Sequence, residues 1–113
     1  MSRRDLFGLQ PFLRGPAKVL VDIGRGADAR LTVTSVRRTR AEQSRLYQRF
    51  LAGRSQGIPA LPPGLSLHEK GRAFDLARPG IPPFSDDLLA QLGTLWNSWG
   101  GRWHQSDPVH FEA

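Results

Sequence analysis

The chain has 113 residues, 39% of them hydrophobic, and its 16 Lys and Arg against 10 Asp and Glu give a formal charge of +6. That length has room for one core and so for a single domain, 1–113, and the absence of cysteine excludes disulfides and thiolate metal sites, leaving His, Asp or Glu to hold any metal. No stretch approaches the ~20 apolar residues of a membrane span, and "MSRRDLFGLQPFLRG" has no apolar run after its arginines, so it does not read as a secretory signal.

Residues 1–18, with Pro11, Gly15 and Pro16, read as an arm with at most one short helix, and residues 1–30 together as a lead-in to the part that carries motifs. "KVLVDIG" is too short for periodicity to choose between helix and strand. "RLTVTSV" alternates and is rich in β-branched residues, which predicts a strand. "TRAEQSRLYQRFLAG" predicts a helix: Thr39 and Glu42 form a capping box, Leu46, Tyr47, Phe50 and Leu51 make its apolar stripe, and Gly53 ends it. A Pro/Gly loop covers 54–65. "RAFDLA" is the second strand, and "RPGIPPFS" the next loop. Ser85 can cap a helix through "DDLLAQLGTLWNSWG", whose Leu88, Leu89, Leu92, Leu95, Trp96 and Trp99 line one face. "GGRW" and "PVHFEA" read as short strands or turns. The sum is an α+β fold, a small, mainly antiparallel sheet packed by two main helices.

Two places set polar groups where apolar ones belong. In "AFDLA" the side chains alternate, so Phe74 and Leu76 go to the core and Asp75 looks out between Ala73 and Ala77. A carboxylate there needs a cationic partner, a metal or an arginine. His68 precedes it across a Gly-containing turn. In "SDPVHFE", His110 stands in an apolar, strand-like segment three residues after Asp107. His68, Asp75 and His110 would suit a catalytic zinc with its fourth position left to water, and Asp107 is the candidate general base.

Together these segments are similar to a known family. "SLHEKGRAFDL" matches the pattern Ser-x-His-x-x-Gly-x-Ala-x-Asp of the VanY-like zinc D,D-carboxypeptidases and L-alanyl-D-glutamate endopeptidases, whose fold is shared with the sonic hedgehog signalling domain. "SDPVHFE" resembles the family's second motif, and "VTSVRRTRAEQSRLY" a third, a strand running into an arginine and then a helix with a glutamine. The resemblance covers about residues 31–113, in the family's order. It implies that His68, Asp75 and His110 bind zinc, that Asp107 is the base, and that an arginine after the first strand stabilises the oxyanion. Alignment favours Arg38 for that arginine; strand alternation lets only one of Arg37 and Arg38 face the site. Ser66 matches a serine that contacts substrate or supports a ligand, and Gly71 a glycine that allows a tight turn. Gln43 matches a glutamine that orients substrate, with a solvated helix position as the alternative.

Other residues have blander readings. His104 is expected at the surface or cleft rim, Glu69 in solvent, and Trp96 and Trp99 in the core. Trp103 walls either the pocket or the core. Glu112 either holds a ring N–H of His110 or is a terminal surface acid. The resemblance implies a peptidase that cuts the peptide stem of bacterial peptidoglycan, of either D-Ala-D-Ala or L-Ala-D-Glu type. It is expected to be a monomer that binds no nucleic acid. Without a leader, it would be made in the cytoplasm and reach the wall after release or on a virion, as a phage or prophage lysis enzyme does. The alternative is a zinc-bearing module of the same fold that binds without cleaving.

Overall fold

The computed structural model describes residues 5–113; residues 1–4, which hold the two arginines of the leader reading, lie outside the described residues. The elements run α1 (Pro11–Ala27), β1 (Thr32–Ser35), α2 (Arg40–Leu51), β2 (Ala73–Ala77), α3 (Asp87–Ser98) and β3 (His110–Glu112), with 3-10 turns at Leu6–Gly8, Leu67–Lys70 and Pro83–Ser85. The strands form one antiparallel sheet in the order β1-β2-β3, with β2 central. This is the α+β class expected, with one helix more.

The additional helix is α1, which starts within the expected arm and runs on through "KVLVDIG". It is 17 residues long although it contains Pro16. Pro16 removes one intrahelical hydrogen bond, and Gly15 adds backbone entropy to be lost. Leu13, Ala17, Leu20, Val21 and Gly24 nevertheless form a buried stripe at helical spacing, and that tertiary burial outweighs the local penalties. Gly24 is needed for close approach: a Cβ there would run into the side chains of Leu31 and Leu92.

The core lies on one face of the sheet. Phe74, Leu76 and Phe111 are fully buried and pack with Leu20 of α1 and Leu89 and Trp96 of α3. Phe74 stacks on Phe111 (centroids 5.4 Å apart) and meets Trp96 edge-on at 5.2 Å. The cap of α3 is Asp86 rather than Ser85: its carboxylate accepts from the N–H groups of Leu88 and Leu89 and is bound by Arg78 at 2.6 Å. Trp99, expected in the core, is 43% exposed. It sits on the C-cap of α3, where the chain turns away through Gly100 at φ +95°.

Helix α2 has the expected capping box, with Thr39 Oγ1 and Glu42 each bonding the other's backbone N–H at 3.1 Å. Its stripe does not reach the core. Leu51 is 60% exposed, and the buried residues of α2 are Glu42 and Gln43. The helix lies on the polar side of the molecule, so Leu46 and Phe50 line pockets instead.

Candidate metal centre

The face of the sheet opposite the core carries the polar cluster, and strand register assembles it. Asp75 in β2 is paired with Ser35 of β1 on one side and His110 of β3 on the other. Residues directly opposite in neighbouring strands point the same way, so segments far apart in sequence present Ser35, Asp75 and His110 in one row. A bulge between Val33 and Ser35 brings Ser35 into that row.

His68 comes from the 3-10 turn Leu67–Lys70. Ser66 caps this turn by accepting from the His68 N–H at 3.2 Å. Gly71 ends it at φ +68°, and a Cβ there would lie 2.8 Å from the Gly8 carbonyl oxygen. The turn is tied to the end of β1, since Arg38 N–H donates to the His68 carbonyl at 3.2 Å. His68 is 1% exposed.

Three donor atoms converge. His68 Nε2 lies 3.0 Å from Asp75 Oδ1 and 3.2 Å from His110 Nδ1, and His110 Nδ1 lies 3.4 Å from the same oxygen. One ligand atom from each residue fits within 4.8 Å of the others. The outer nitrogen of each imidazole is already engaged: His68 Nδ1 faces the Val36 carbonyl oxygen at 3.0 Å, and His110 Nε2 faces Glu112 Oε1 at 2.7 Å. Each of those acceptors calls for an N–H, which in the neutral rings places a lone pair on each inner nitrogen. Two lone pairs and a carboxylate oxygen then face one another, an arrangement that calls for a cation. A two-His, one-carboxylate set with both rings fixed from outside fits zinc.

Burial would raise the Asp75 pKa, but the imidazoles and the Arg38 guanidinium hold it well below the usual carboxylate range. Burial would lower His110, yet its bonds to Asp75 and Glu112 carry it up to about 9, so the metal-free ring holds a proton near neutral pH that a bound cation would displace from Nδ1. Asp107 goes the other way. Burial, aided by the Asp75 charge, raises its pKa against the pull of His110. Its Oδ1 is buried with no hydrogen-bond partner among the described residues. It shares with Arg38, His68, Asp75 and His110 the wall of a pocket of about 80 Å³.

Of the paired arginines, Arg38 faces the site. It donates from Nε to Ser35 Oγ (3.1 Å), from Nη1 to Gln43 Oε1 (3.2 Å) and from Nη2 to Asp75 Oδ2 (2.7 Å). Those three bonds leave two of its five N–H groups for another acceptor. Arg37 is exposed on the outside, beside Gly71.

Gln43 is not solvated. It is 1% exposed, held between Arg38 and the Leu61 carbonyl, which its Nε2 reaches at 2.8 Å. Ser66 and Gln43 line a cleft of about 310 Å³ whose apolar wall is Phe50, Pro59, Ala60 and Leu61. Trp103 is half-buried and packs against the core. Its ring packs against Gly93, where a Cβ would collide with it, and it also lines a second cleft of about 420 Å³ with Asn97, Arg102 and His104. Asp107, His110 and Glu112 belong to both clefts. His104 is exposed at the rim, as expected, bonded to Ser106 Oγ. Glu69 is half-exposed and accepts from the Gly64 N–H at 2.7 Å, which ties down the loop.

The sequence reading missed the Val36 carbonyl and the 59–61 wall. A backbone acceptor has no residue-type signal, and a loop's apolar residues acquire a role only once it folds over the helix. Glu112 was signalled by its i, i+2 relation to His110 on one strand face.

No family model matches the chain, and no curated protein matches it by sequence. Solved structures do. The vancomycin-resistance D,D-pentapeptidase VanY from a VanB-type cassette, solved with Zn(II), is similar with a TM-score of 0.69 at 17% identity over 92% of this chain and 71% of that one. The L,D-carboxypeptidase DacB of Streptococcus pneumoniae gives 0.66 at 17% over 93% and 66%. The D,D-dipeptidase VanXYg, bound to a D-Ala-D-Ala phosphinate analogue, gives 0.67 at 16% over 92% and 49%. The chain thus spans from half to about seven-tenths of the length of these proteins. It has the hedgehog/DD-peptidase fold, the fold of the VanY-like peptidases that its motifs resemble.

Proposed function

We propose that this protein is a zinc-dependent peptidase that cuts the peptide stem of bacterial peptidoglycan. The observation that carries the reading is the convergence of His68 Nε2, His110 Nδ1 and Asp75 Oδ1, with both imidazoles fixed from outside and Asp107 beside them. When bound by those three residues, zinc supplies Lewis acidity toward a scissile carbonyl and the attacking water.

The chain's own groups do the rest. Asp107, with its pKa raised by burial and one oxygen unpartnered, takes a proton from the water and passes it to the leaving amine nitrogen as the C–N bond breaks. Arg38 directs its remaining N–H groups at the oxygen on which charge develops. Gln43 and Ser35 hold that guanidinium in place. The two clefts that meet at Asp107 and His110 offer room for chain on both sides of the cut bond. No helix among the described residues is long and apolar enough to cross a membrane, and the net charge of +6 suits an anionic envelope. A lysis enzyme of phage or prophage origin, acting as a monomer at the wall, is the narrower form of this reading.

The test is mass spectrometry of muropeptides from purified wall before and after digestion, with and without a chelator. New amino termini that disappear with chelator are expected, and their masses tell D-Ala-D-Ala from L-Ala-D-Glu cleavage. Zinc-loaded protein that leaves every muropeptide intact would overturn the proposal in favour of a binding module.

A further inference from the structure

His110 is held by a carboxylate that is itself held. Glu112 lies two residues on, on the same face of β3, and each of its oxygens has a partner. Oε1 meets His110 Nε2 at 2.7 Å, and Oε2 accepts from Arg102 Nε at 3.0 Å and Nη2 at 2.9 Å. The backbone beneath is fixed too. Arg102 and Glu112 exchange both of their N–H···O bonds, at 2.8 and 3.1 Å, and Trp96 Nε1 donates to the Glu112 carbonyl at 2.9 Å. A carboxylate so clamped cannot swing to solvent without breaking an ion pair. Without it, the exposed side of the His110 ring would face water, which serves either tautomer, and the ring could carry its proton on the inner nitrogen. His68 has no such freedom, because its outer partner is the Val36 backbone carbonyl. The two imidazoles therefore differ: one is fixed by the main chain, the other by a side chain near the surface.

We infer that Glu112 and Arg102 form a positioning pair that sets the tautomer and orientation of His110, and thereby the affinity of the centre for its divalent cation. This rests on the metal reading above but adds two residues outside the three ligands. Glu112 orients the ring, and Arg102 orients Glu112. Ordering follows from the geometry: losing Glu112 removes the acceptor, whereas losing Arg102 only frees it to move. Supporting groups of this kind change metal affinity by about ten- to a hundredfold.

The experiment measures zinc affinity by chelator competition for wild type, Glu112→Ala, Glu112→Gln and Arg102→Gln, with the His110 tautomer read from ¹⁵N chemical shifts of the metal-free proteins at a pH high enough that the ring is neutral. Glu112→Ala should weaken zinc binding about ten- to a hundredfold and move His110 away from the Nε2–H form. Glu112→Gln, whose amide oxygen can still accept, should recover much of both. Arg102→Gln should have a smaller effect of the same sign. Thermal unfolding of the metal-free variants separates positioning from loss of fold, and Glu112→Gln carries the test if Glu112→Ala does not fold. Unchanged zinc affinity and an unchanged tautomer in a folded variant would overturn this inference alone. A wild type that binds no zinc would overturn the metal reading itself.

Discussion

Within β2, Phe74 and Leu76 point to one face of the sheet and Asp75 to the other, and the two faces have settled their buried groups by different means. On the first, Phe74, Leu76 and Phe111 are closed in by α1 and α3, and apolar burial supplies the stability. On the second, His68, Asp75 and Gln43 are also buried, but each is held by named hydrogen bonds, and among the described residues one oxygen, Asp107 Oδ1, is left over. A packed apolar face tolerates no unpaired polar atom unless something recovers the cost. On the function proposed above, the polar face accepts one because that oxygen is the base that meets the attacking water.

The sharpest way to separate the faces is His68→Ala. It should abolish zinc binding and turnover together while the helical circular dichroism stays; zinc bound at wild-type affinity would show that the centre is not formed by these three residues. Asp107→Ala should lower turnover by about two to four orders of magnitude with zinc retained, read by muropeptide release and metal content side by side. Loss of the metal in that variant would make Asp107 a ligand rather than the base. Phe74→Ala works on the other face. It should cost about 3–5 kcal/mol of stability in denaturant titration, with zinc affinity changed little wherever the protein remains folded. If it removes zinc binding as completely as His68→Ala, the faces are not separable.

Asp86→Asn gives the smallest effect, about 1.5–3 kcal/mol near neutral pH, since asparagine still caps α3 but loses the charge that Arg78 binds. Burial would raise the Asp86 pKa, but the Arg78 guanidinium and the α3 N–H groups lower it below the ordinary 3.8. A depressed native pKa stabilises fully above the unfolded value, and that stability is lost as pH falls through the native one. The gap between wild type and Asp86→Asn should therefore be constant above about pH 5 and close as acid is added below 3.8. A gap independent of pH would mean the charge does not contribute.

Much of the site was legible because the motifs are local. The capping box fixed the start of α2, β2 announced itself by alternation, and the Ser66–Asp75 segment holds its cap, its histidine, its left-handed glycine and its acid within ten residues. The misreadings came where long-range packing overrode short-range preference. Pro16 and Gly15 argued against a helix that the core then paid for in buried apolar side chains. The apolar stripe on α2 gave no sign that the residues the helix buries would be Glu42 and Gln43.

The sequence by itself determined which side chains could bind a cation and which element carried each, since residue type and spacing within a strand or turn are one-dimensional properties. Only the tertiary structure decided that Arg38 rather than Arg37 turns inward, that Gln43 is buried, and that Asp75 stands opposite His110. Those facts depend on strand register and on the path of a Pro/Gly loop. Both are set by the total free energy of contacts between residues distant in the chain, which no local pattern encodes.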